Sequence, residues 1–84
     1  DINLKRGHSA YPNPVSDHLT IEFDNPEFNS FELVVYDLIG RNWMEIKNIT
    51  GDHYFIKAGT LPSGLYLYSL KGKGKTFNGR VFVN

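Results

Sequence analysis

The sequence predicts an all-β domain, a sandwich of about seven antiparallel strands, and three observations carry that expectation. Short runs alternate apolar and polar residues, as in Leu19-Thr20-Ile21-Glu22-Phe23, and a period of two marks a half-buried strand. Turn-forming Pro, Gly, Asn and Asp separate the runs at roughly 8–12-residue spacing. No segment sustains a helical apolar period.

In chain order, residues 1–10 are polar and read as a linker whose end lies along a sheet edge. Tyr11-Pro12-Asn13-Pro14 lacks two backbone donors, so it suits an edge rather than a central strand. A short first strand is expected around residues 9–12, and residues 15–18 form a turn by composition. In the next strand Leu19, Ile21 and Phe23 face the core, while Thr20 and Glu22 face water. Residues 24–30 form a loop. Phe31-Glu32-Leu33-Val34-Val35-Tyr36-Asp37 is more continuously apolar and therefore central. Gly40 supplies the positive φ of a hairpin. In residues 42–47, Met44 and Ile46 point inward and Trp43 outward. Residues 48–52 turn, and residues 53–58 form a strand with Tyr54 and Ile56 inward.

Leu61-Pro62-Ser63-Gly64-Leu65-Tyr66 is a turn running straight into an aromatic strand. Pro62 fixes φ, Gly64 is free to take φ > 0, and Leu61 plugs the core from the crossover. Tyr66 sits where a tyrosine corner ties a crossover down by hydrogen-bonding its backbone, which makes the sandwich Ig-like. Residues 71–75 form a hairpin tip. Residues 76–83 form the last strand, with Gly79 expected at a bulge.

Composition excludes several function classes. Nine basic and nine acidic residues cancel, which disfavours nucleic acid or an anionic membrane as the main partner. No cysteine is present, so there is no disulfide framework or thiolate metal site. No apolar run approaches the ~20 residues of a membrane span. The chain opens with neither an initiator Met nor a signal-peptide pattern, so it is expected to be a segment of a longer protein. His8, His18 and His53 are scattered, Ser63 lies in a Pro-Ser-Gly turn, and no acid–base or nucleophile–base set is visible. Asp24, Asn25, Glu27 and Asn29 could offer oxygens to Ca²⁺, but their spacing fits no standard loop and turn chemistry accounts for them. No enzyme activity, metal or cofactor is expected.

Tyr11-Pro12-Asn13-Pro14, Tyr36-Asp37-Leu38-Ile39-Gly40-Arg41 and Leu61-Pro62-Ser63-Gly64-Leu65-Tyr66, in this order and spacing, resemble the type A C-terminal sorting domain of the type IX secretion system. The resemblance runs from Tyr11 to Val83. It implies a protein of Bacteroidetes-type bacteria that crosses the periplasm to the outer membrane and is secreted or attached to the cell surface. It also implies an N-terminally attached cargo, outer-membrane secretion machinery as partner, and removal of the domain by a sortase-like peptidase cutting in or before residues 1–10. The family's recurring residues fall on Pro12, Asn13, Pro14, Asp37, Gly40, Leu61, Gly64 and Tyr66. The last strand keeps one basic residue, Arg80, and finishes on Asn84, where the family often has lysine.

Residues 11–84 are thus expected to be the sorting domain and residues 1–10 its linker. Arg80, Val81, Phe82 and Val83 are the candidate recognition strand, because a last strand can pair with a partner sheet. Its plainer role is an ordinary edge strand. An open edge would also allow a homodimer. The proline motif and the tyrosine corner have plainer architectural roles, and Lys71, Lys73 and Lys75 read as a solvated tip. The alternative function is a small carbohydrate-binding or adhesion module, with Trp43 as a sugar platform.

Overall fold

The computed structural model describes residues 8–11, 17–57 and 61–84. It has seven strands: β1 (His8–Tyr11), β2 (His18–Phe23), β3 (Phe31–Asp37), β4 (Asn42–Ile49), β5 (His53–Lys57), β6 (Gly64–Gly72) and β7 (Lys75–Val83). They form two antiparallel sheets, ordered β1-β2-β5 and β4-β3-β6-β7. In immunoglobulin lettering these are A-B-E and C′-C-F-G, so the β5–β6 crossover is the E–F corner where a tyrosine corner belongs. The proline motif, residues 12–14, and Ala58 lie outside the described residues. Among those residues no helix is long and apolar enough to cross a membrane.

Alternation puts Leu19, Ile21, Phe23 and Ile56 of the smaller sheet against Leu33, Val35, Leu70 and Val81 of the larger, all buried. β3 is central, as its apolar run predicted. Thr20 differs from expectation: it points outward yet is only 8% exposed. Tyr11 and Phe55 are its cross-strand partners on either side, and aromatic neighbours on one face of a sheet cover a small residue between them.

Two irregularities in β4 change which side chains reach the core. Val35 pairs with Met44 but Tyr36 with Asn42, so Trp43 is an extra residue on β4. Such a bulge turns one side chain to the other face. Trp43 therefore joins Met44 in packing on the core, correcting the outward placement that strict alternation gave it. Further along, Leu33 pairs with Ile46 and Phe31 with Ile49, and Asn48 takes φ +62° at this second shift. Asn48 and Ile49 thus belong to the strand, and the turn is confined to residues 50–52.

β6 and β7 pair without a register shift from Gly64↔Val83 to Gly72↔Lys75. Gly79 is therefore not a bulge. It lies opposite Tyr68, and a Cβ there would come within 2.5 Å of the tyrosine ring. The missing side chain lets Tyr68 lean over β7, with its hydroxyl 2.6 Å from Nδ1 of His8. The two rings meet edge to face, and His8 also packs on Phe77. This cluster closes the sandwich between β1 and β7. Burial raises the Tyr68 phenol above its ordinary pKa.

The two ends of the sandwich are built differently. At one end, buried Asn25 holds the loops: its Nδ2 donates to the carbonyls of Asn29, Thr50 and Gly51, and its Oδ1 accepts from the Asn29 N–H. At this end His8 pairs with Phe23 and the two-residue turn Lys73-Gly74, with both φ positive, joins β6 to β7. The other end carries the β3–β4 hairpin tip, the start of β6 and Val83.

Gly79→Ala should lower stability by about 1–3 kcal/mol, the usual cost of overpacking a filled site. The ring of Tyr68 can yield only by leaving His8. Urea unfolding measures the loss, and nuclear magnetic resonance of the His8 ring should report the broken contact.

Candidate functional site

The hairpin between β3 and β4 is organised by one carboxylate. Asp37 Oδ1 accepts the N–H groups of Ile39 (3.1 Å) and Arg41 (2.9 Å). Its Oδ2 accepts Arg41 Nε (3.0 Å) and Trp43 Nε1 (3.0 Å). Gly40 N–H donates to the Asp37 carbonyl and Asp37 N–H to the Arg41 carbonyl, each at 3.0 Å. Gly40 sits at φ +87°, completing a three-residue connection that needs a left-handed residue in this position. The Asp37 side chain is 15% exposed. Chiefly through the Trp43 indole N–H, and against some desolvation, with further help from the Arg41 and Ile39 donors, its pKa falls from an ordinary 3.8 to about 2. Four donors all favour the ionised form.

Trp43 joins this hairpin to the corner. Its ring meets Tyr66 edge to face at 6.1 Å, and the Arg41 guanidinium lies 5.0 Å from its centroid. Tyr66, buried and directly across the sheet from Asp37, donates its hydroxyl to the Pro62 carbonyl at 2.6 Å. This is the expected tyrosine corner. Leu61 is half-buried against the core and Gly64 takes φ +148°. The second and third sequence motifs, well separated in the chain, are therefore one connected unit: Asp37, Trp43, Tyr66 and Pro62.

On its other side Tyr66 is opposite Val81, with Leu65 opposite Phe82. Val81 and Val83 are buried, whereas Arg80 and Phe82 are exposed on the outer face. Only half of the candidate recognition strand is thus presented to a partner through its side chains. Pro12, Asn13 and Pro14 lie outside the described residues. Sequence reasoning missed Trp43 as the joint, because a bulge leaves no trace in an alternation pattern. Trp43, weighed as a sugar platform, has its N–H on Asp37 and its ring against Tyr66 and Arg41. The amide of Asn25, weighed as a calcium ligand, is spent on backbone groups. Among the described residues no three metal-ligating side chains converge.

Two measurements test the unit. Tyr66→Phe should cost about 1 kcal/mol, the net value of one hydrogen bond, read as a lower urea midpoint with the fold intact. Asp37→Asn should lower the midpoint as well, with a characteristic pH dependence. The folded pKa lies below the unfolded one, so the carboxylate's contribution is fully present above pH ~5 and is lost as pH falls through ~4 toward ~2. The gap between wild type and Asp37→Asn should stay flat above that window and close within it.

Residues 9–84 match the family described as the secretion system C-terminal sorting domain. No curated protein matches the chain. The family is not an enzyme family. It implies an N-terminal cargo, contact with the secretion machinery, and transport of the whole protein across the outer membrane to be secreted or surface-attached. With a match spanning both sheets and both connected motifs, the chain belongs to the secretion system C-terminal sorting domain family, the sorting signal of type IX secretion.

Proposed function

We propose that the sorting signal is read at β7, by pairing of its open edge with a strand of the outer-membrane machinery. The observation that carries this is the contrast among the four sheet edges. Among the described residues β1 and β5 have four and five residues. β4 is broken by two register shifts. β7 has nine residues in unbroken register with β6. Proteins normally blunt edges of that length, so a long regular one suits strand addition. Arg80 and Phe82, outward on that strand, would set specificity. Pro12, Asn13, Pro14, Asp37, Gly40, Leu61, Gly64 and Tyr66 serve mainly as scaffold, holding the strand in place.

The domain acts without catalysis of its own, in transit from periplasm to outer membrane. A sortase-like peptidase removes it by cutting in or before residues 1–10, leaving residues 11–84 as the discarded signal. Free in solution, the same edge is open to a second copy of the chain.

The test fuses a reporter upstream of residues 1–84 in a strain with type IX secretion. Deleting the last strand would also remove buried Val81 and Val83, so Arg80→Glu with Phe82→Lys is the sharper variant. It should stay folded, as urea unfolding checks, and lose export. Export at the wild-type level would sink the edge reading.

A further inference from the structure

The hairpin tip spends much of its hydrogen bonding on holding two aliphatic side chains in water. Leu38 is 65% exposed and Ile39 82%. Turn positions normally carry Gly, Asn, Asp, Ser or Pro. Neither residue packs on the core, so folding gives no reason for them. The turn beneath them is fixed by the four Asp37 carboxylate bonds and by the two backbone bonds linking Asp37 with Gly40 and Arg41.

We propose that Leu38 and Ile39 are a preformed anchor that enters an apolar pocket on a protein of the secretion machinery. The proposal rests on the reading that this machinery binds the folded domain, and adds where and with what chemistry. A turn held rigid before contact loses little conformational freedom on binding, so two aliphatic side chains suffice for an energetic centre. The tip shares its end of the sandwich with Val83, so one partner can hold the tip and the edge of β7 together.

Shape and charge select a protein pocket over the other occupants. The tip is convex, and tip-to-tip contact between two copies would bury far less than the ~1,200 Å² of a stable interface. A bilayer would want free cations beside the aliphatic pair. The guanidinium of Arg41 is instead engaged by Asp37 and lies over Trp43, and the chain carries no net charge.

The test compares export of the same reporter fusion carrying Leu38→Ser with Ile39→Ser against wild type and against Arg80→Glu with Phe82→Lys. The serine pair should keep the urea midpoint and reduce export roughly tenfold or more. Wild-type export by the serine pair, with export lost in the Arg80/Phe82 variant, would overturn the anchor and leave the edge reading standing. Wild-type export by both would overturn both. A fall in the urea midpoint of the serine pair would assign these residues to folding and overturn the anchor. Flotation of the wild-type chain, but not the serine pair, with phosphatidylethanolamine–phosphatidylglycerol vesicles would make the occupant a membrane. Sedimentation of the wild type, but not the serine pair, as an oligomer would make it a second copy. Either result overturns the proposed pocket.

Discussion

The hydrogen bond from the Trp43 indole to the Asp37 carboxylate braces two devices that already lie side by side where β3 pairs with β6. On one side of it is a turn whose geometry comes from an ionised aspartate. On the other is a corner whose geometry comes from a buried tyrosine. Each could form alone, since carboxylate-stabilised turns and tyrosine corners are common local solutions. Joined through Trp43, they fix the start of β6 relative to the end of β3. β7 then inherits its position from β6 by pairing. A largely covered charged group thus influences the placement of a strand two positions away in the sheet, through contacts rather than through field.

Much of this was legible in the sequence because the governing physics is local. Alternation at Leu19, Ile21 and Phe23 reports the face that packs on the core. The positive φ at Gly40 and Gly64 follows from turns that few other residues tolerate. The corner at Tyr66 follows from its distance to Pro62. What stayed hidden depends on two strands being counted against each other. Trp43 turns inward only because β4 has one residue more than β3 between Met44 and Asn42. Gly79 looks the same in sequence whether it makes a bulge or accommodates a ring, and only the partner strand reveals Tyr68 opposite it. Thr20 is covered by aromatics from both neighbours, information that is not in its own strand.

The same distinction applies to the candidate site. Asp37, Gly40, Leu61, Gly64 and Tyr66 could be named from motifs, and the structure explains their geometry as architecture. Leu38 and Ile39 stand out only after the fold is known, when they prove to have no core to pack on. Arg80 and Phe82 separate from Val81 and Val83 only once the faces of β7 are assigned. Residues that define the family pattern and residues proposed to meet a partner are therefore largely different sets.

The two ends of the sandwich give the domain a direction. The chain comes in at His8, beside the Asn25-braced loops, and finishes at Val83, beside the Asp37 hairpin and the corner. On the proposed reading, the features offered to the secretion machinery lie at the end of the sandwich opposite His8. That reading puts a domain's length between His8 and the proposed point of contact, so one receptor could accept the same fitting whatever precedes it. On that reading the domain would work like a plug on a cable: the fitting stays the same and whatever hangs behind it can change.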